Sequence, residues 1–118
     1  MKTDAINFNT TKSVQEVVNI IRNAASSMKA EITKLDEDPF GNIGGYVPAI
    51  AVGLSGSNIL GFGPRGWGMH VYVTDLGSSC EVELIALGDG VMQKMSGGAF
   101  FDLGLGKRHR DKLANMLM

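Results

Sequence analysis

The sequence predicts an α+β domain: a two-layer sandwich in the order β-α-β(4-5)-α, with a curved antiparallel sheet carrying its helices on one face. Three patterns predict it. A short alternating strand is followed at once by a capped, amphipathic helical segment, residues 5–28. Two longer runs, 67–74 and 80–87, alternate residue by residue across a turn signal at 75–79. The last dozen residues return to helical spacing. At 118 residues, and with no linker or internal repeat, all of residues 1–118 are read as one domain.

Ala5-Ile6-Asn7-Phe8-Asn9-Thr10 has period two and reads as a half-buried strand. Ser13-Val14-Gln15-Glu16 then reads as a capping box, in which hydroxyl and carboxylate each take a backbone N–H that the helix leaves unpaired. Val14, Val17, Val18, Ile21, Ala24, Ala25 and Met28 follow at spacings of three and four, forming one apolar stripe. Burial of that stripe predicts that Val18→Asp costs several kcal/mol. Glu31 to Leu35 reads as a second strand, closed by Asp36-Glu37-Asp38 and Pro39. Residues 46–52 and 58–62 are expected to pair as a hairpin across Ser55-Gly56-Ser57.

The runs around 75–79 form the clearest hairpin. Closing it there sets Tyr72 opposite Glu83 and Thr74 opposite Glu81 on one, water-facing side, and leaves Val71, Val73, Val82 and Leu84 to face the helices. Residues 88–98 read as loop with a short helical turn near Val91 to Met95, and Ala99 to Leu103 as a last strand. A closing helix from about Lys107 carries Leu113, Met116 and Leu117 on one side. This order of elements resembles helix-grip and TATA-binding-like folds in topology alone, and topology carries no function across.

Composition narrows the functional classes. Eleven basic against 12 acidic side chains give a net charge of −1, which argues against nucleic acid or an anionic membrane as a general partner. One Cys makes no internal disulfide and no Cys-based zinc site. The start Met1-Lys2-Thr3-Asp4 lacks a leader pattern, and with the lone thiol it points to the cytoplasm. Residues 39–64 carry no charge, but Pro48, Gly53, Gly56 and Gly61 cut them into strand-length pieces instead of a membrane helix.

Glycine is the outlier. Sixteen residues is about twice the ordinary ~7 % share, and none falls in the first forty positions. Gly61-Phe62-Gly63-Pro64-Arg65-Gly66 matches a dinucleotide fingerprint in letters, yet a strand follows where the fingerprint needs a helix. Gly104-Leu105-Gly106-Lys107-Arg108 lacks both the first Gly and the Ser or Thr of a phosphate loop. Cys80 reads as a small core residue, and neither His70 nor His109 has metal-ligand spacing. Hence no catalytic residue, metal or cofactor is expected.

Two stretches remain as binding candidates. Tyr46, Phe62 and Trp67 mark the uncharged, Gly-rich region as core, cavity lining or interface. Lys107, Arg108 and Arg110 crowd what reads as the first turn of the last helix, where the dipole disfavours cations, and form a candidate contact for an anionic group. The leading expectation is a non-enzymatic domain that forms a homo-oligomer or binds a protein partner through its Gly-rich sheet. A helix-grip-like binder of a small apolar ligand is second. Anion or nucleic-acid contact through the basic cluster is third.

Overall fold

Ser13 starts the first helix as its capping pattern requires. The Glu16 N–H donates to Ser13 Oγ at 3.2 Å, and the Ser13 N–H donates to Glu16 Oε1 at 3.4 Å. In the computed structural model, which describes residues 2–35, 50–58, 65–88 and 100–118, that helix, α1, runs Val14–Ser27. It is preceded by β1 (Lys2–Thr10) and followed by β2 (Glu31–Lys34), β3 (Ile50–Asn58), β4 (Arg65–Asp75), β5 (Cys80–Gly88), the short β6 (Phe100–Phe101) and α2 (Leu103–Leu117). The chain is therefore α+β, with five antiparallel strands and two helices among the described residues.

The strands lie side by side as β1-β5-β4-β3-β2, so α1 connects one edge of the sheet to the other. β6 adds a short parallel pairing to the start of β4. Its placement follows from hydrogen bonding: β3 occupies one side of Arg65 and Gly66, and the Asp102 N–H donates to the Gly66 carbonyl on the other at 2.8 Å. The β4–β5 hairpin closes in the expected register, with Tyr72 facing Glu83 and Thr74 facing Glu81. Gly77 lies in its turn with φ of 97°, a conformation that side chains disfavour.

Alternation sorts the side chains onto two faces. On the first, Val71, Val73, Val82 and Leu84 share one apolar cluster with Leu54, Trp67 and Met69. Val17, Ile21, Ala24 and Ala25 of α1 and Leu113, Ala114 and Leu117 of α2 belong to the same cluster. On the second face Tyr72, Ile85 and Leu87 pack with Phe101.

Several expectations are corrected. Ser55-Gly56-Ser57 is no turn: β3 runs straight through it and pairs with β4, placing Gly56 opposite Trp67. The physical reason is space, because a Cβ on Gly56 would lie 2.7 Å from the Trp67 indole nitrogen. The uncharged stretch at 50–58 is thus a sheet strand, and no helix among the described residues is long and apolar enough to cross a membrane. The second face is not left to water, since His70, Tyr72 and Thr74 are all buried. α2 begins at Leu103 instead of near Lys107, because Asp102 caps it by accepting the Leu105 N–H at 3.1 Å. The acidic run 36–38 and the expected turn at 91–95 lie outside the described residues.

The α1 stripe is shifted by a fraction of a turn from the expected one. Val17 and Ile21 are 0 % and 4 % exposed, whereas Val18 is only half-buried and Ile20 joins the margin of the core. The core position is therefore Val17, not Val18. Val17→Asp is expected to cost about 3–5 kcal/mol, as an uncompensated charge in the core, and Val18→Asp about 1 kcal/mol or less. Chemical denaturation of the two variants side by side measures this; equal losses would contradict the packing.

Candidate functional site

Trp67 is where the two sequence-predicted candidates meet. It projects from β4 onto the first face, is 2 % exposed, and lies over Gly56. His109 of α2 stacks on it with ring centroids 4.0 Å apart and planes 18° from parallel. The aromatic stretch and the basic helix are thereby brought together through a histidine that sequence reasoning set aside. Tyr46 and Phe62, the other aromatic candidates, lie outside the described residues.

The described glycines near this point are spent on internal packing. A Cβ on Gly68 would lie 2.4 Å from the Phe101 ring, and one on Gly88 would lie 2.4 Å from Leu103 Cβ. Gly106 lets α2 approach the sheet until its missing Cβ would stand 3.2 Å from the Gly68 carbonyl. On the first face Trp67, Leu54, Met69, Leu113 and Leu117 are fully buried against one another. At these positions glycine makes room for the chain's own rings and helix.

The basic cluster divides. Lys107 and Arg108 are exposed, and they stand in the second turn of α2, away from its N-terminus. Arg110 is 4 % exposed and turned inward. Its guanidinium pairs with the Asp4 carboxylate, donates to the Asp4 carbonyl at 2.7 Å, and donates twice to Asp111 Oδ1, at 3.0 and 3.1 Å. Arg110 thus fastens α2 to β1. Lys12 adds a second fastening by donating to the Leu117 and Met118 carbonyls at the far end of the helix. At the near end, the Asp102 carboxylate and carbonyl already take the Leu105 and Gly106 N–H groups that an anion would use.

On the second face Tyr72 Oη and His70 Nδ1 stand 3.4 Å apart, and Glu83 lies across from Tyr72. Cys80 is buried, and burial, with Asp75 nearby, pushes its thiol above the ordinary value. That disfavours the reactive thiolate. Among the described residues no group of three or more His, Cys, Asp or Glu is placed to hold a metal ion. A polar cleft of about 350 Å³ opens between the β1–α1 turn and the β4–β5 turn, lined by Lys12, Ser13, Glu16, Asp75, Ser78 and Ser79 among others.

Strand β1 contains the expected strand at residues 5–10 and extends it back to Lys2, a feature to which the sequence assigns no binding role. It is nine residues long, forms an edge of the sheet, and exposes Thr3, Ala5, Asn7 and Asn9. The Leu76 N–H donates to the Ser79 carbonyl at 2.9 Å, which makes that pair the closing hydrogen-bonded pair of the hairpin. Antiparallel alternation then turns the backbone groups of Val82, Leu84 and Ala86 toward β1, where they meet Phe8, Ile6 and Asp4. The N–H and C=O groups of Thr3, Ala5, Asn7 and Asn9 therefore point away from β5. The available signal was negative: this run has no Pro and only Lys2 and Asp4 as charges.

Two titrations follow from this geometry. The hydrogen bond from Arg110 holds the Asp4 carboxyl below its ordinary value of 3.8, so its stabilisation is present above that value and disappears as pH falls through the lower folded value. Asp4→Asn is expected to melt lower than the parent at neutral pH, with the gap closing in acid; a pH-independent gap would contradict the pairing. Burial, and then the nearby Lys112, lowers the His109 value from 6.5, so the unfolded chain takes up that proton first and stability falls as pH drops below 6.5. Trp67 is the only tryptophan, and its emission should report this titration in the folded chain and lose it in His109→Gln. Comparison of the chain with protein-family models, curated proteins and solved structures found no match.

Proposed function

We propose that this chain is a small non-enzymatic domain that associates with another protein chain by taking a strand onto the open edge of its sheet at β1. The observation that carries the reading is β1 itself. Its register with β5 is unbroken over nine residues, from Lys2–Gly88 to Thr10–Cys80, so no bulge twists the edge away. It carries no Pro, and among the described residues it pairs on one side only. The opposite edge, β2, is a four-residue strand bearing Glu31 and Lys34, a short and charged edge of the kind that resists pairing.

The same reading moves the association surface from the glycines to the strand edge, because Trp67, Phe101, Leu103 and the approach of α2 fill the space at Gly56, Gly68, Gly88 and Gly106. It also takes the finer architecture to be a two-layer sandwich with both helices on one face. The shared apolar cluster of α1, α2 and the first face supports this. An apolar ligand between helix and sheet has less support, since Trp67 and its neighbours occupy that region. Contact with an anion through Lys107 and Arg108 has lost Arg110, which is engaged by Asp4 and Asp111.

Amide hydrogen exchange on dilute protein tests the open edge. The N–H groups of Thr3, Ala5, Asn7 and Asn9 are expected to exchange far faster than those of Asp4, Ile6 and Phe8, which the β5 ladder protects. Equal protection of both sets in dilute solution would mean that the edge is already covered, and the reading would fall.

A further inference from the structure

We infer that the strand received by β1 is β1 of a second copy, running antiparallel about a two-fold axis through Ile6; the inference rests on the reading of β1 as an open edge. Self-pairing about a two-fold axis closes on itself and uses one surface twice. It consumes the exposed edge of both copies in a single contact.

The register follows from which backbone groups are free. Hydrogen bonds across the junction must come from Thr3, Ala5, Asn7 and Asn9. With the axis at Ile6, Thr3 meets Asn9 of the other copy and Ala5 meets Asn7. All four residues of each strand then form hydrogen-bonded pairs, about eight hydrogen bonds in all. Moving the axis to Ala5 or Asn7 keeps three such pairs and about six bonds. The axis at Ile6 is therefore the register that satisfies the whole edge.

Side chains agree with that register on both faces. On the second face, where these β1 side chains are exposed, Thr3 stands beside Asn9 and Ala5 beside Asn7, pairs that are small or polar and uncharged. On the first face the non-hydrogen-bonded positions place Ile6 against Ile6, Asp4 against Phe8 and Lys2 against Thr10. No two like charges oppose each other. Ile6 and Phe8 are half-buried at the margin of the core, so the junction extends each apolar cluster toward the other. Side chains approach closest at such non-hydrogen-bonded sites, which suits the Ile6 pair at the axis.

Light scattering on the full chain over a wide concentration range, together with cysteine cross-linking, tests this. Paired residues at a non-hydrogen-bonded site have Cα atoms about 4.5 Å apart, within disulfide range. In a Cys80→Ala background, Ile6→Cys is expected to give a disulfide-linked dimer on oxidation, and Asn9→Cys, which faces Thr3, is not. Ala5→Lys combined with Asn7→Lys changes only exposed side chains and sets lysines opposite one another across the junction. It is expected to weaken dimerisation by about tenfold or more while leaving the fold intact.

A chain that stays monomeric at every concentration overturns the inference, and so does a dimer that the double lysine variant leaves unchanged. A dimer in which Asn9→Cys cross-links and Ile6→Cys does not overturns the register. Fast exchange of the four outward amides in a strict monomer would retain the open edge while removing the second copy as its occupant. The two failures are thereby distinguished.

Discussion

At Gly56 and Gly68 the missing side chain is a space reserved for a ring. Trp67 can lie flat on the sheet because Gly56, its neighbour across the strand pair, has no side chain, and Phe101 covers Gly68 on the opposite face in the same way. Large side chains that cover glycines repair what the sheet loses in packing there. The rest of the structure builds on these two contacts. His109 stacks on Trp67, which helps fix the height and direction of α2. Phe101 and Leu103 fill the spaces at Gly68 and Gly88, and the helix follows at once. Gly106 then lets α2 come down nearly onto the strand carbonyls.

The same device explains which elements can be read from sequence. The capping box and the hairpin at 75–79 are local: their signals and the groups that satisfy them lie within a few residues. Ser55-Gly56-Ser57 fails because glycine means either a turn or a ring's resting place, and what distinguishes them is Trp67, eleven positions on and one strand over. The start of α2 at Leu103, ahead of the expected Lys107, has a related reason. Gly104 and Gly106 resemble the end of a loop, while the capping carboxylate of Asp102 just before them was the stronger signal. The alternation of Glu and Thr predicts a water-facing second face, whereas His70, Tyr72 and Thr74 are buried there. The sequence pattern contains no sign that Phe101, coming from a separate strand, packs beside Tyr72 there.

The candidate site was partly legible. Arg110 belongs to the spacing Gly106, Arg110, Leu113, Ala114, Leu117, the buried stripe of α2, and that position sets it apart from Lys107 and Arg108. Grouping the cations by proximity in sequence hid this; grouping them by helical phase reveals it. A buried guanidinium needs a partner, and only a distant carboxylate at the right height on β1 can supply the long-range one. That Asp4 does so is a property of the register, which places Asp4 beside Ala86 and under α2.

The contact between Asp4 and Arg110 has a second effect, on the sheet edge. Edge strands commonly carry a charge that discourages pairing. β1 has one carboxylate, which alternation sets on the first face beside Ile6 and Phe8, and there Arg110 of α2 pairs with it. Beyond the exposed Lys2 at its start, the residues whose backbone groups are directed away from β5 are Thr3, Ala5, Asn7 and Asn9, all uncharged. In the proposed reading, the ion pair that anchors the helix also occupies the one carboxylate of the edge strand. With the other edge short and charged and the described centre filled by its own rings, β1 is the longer of the two described sheet edges, and the proposed association rests on it.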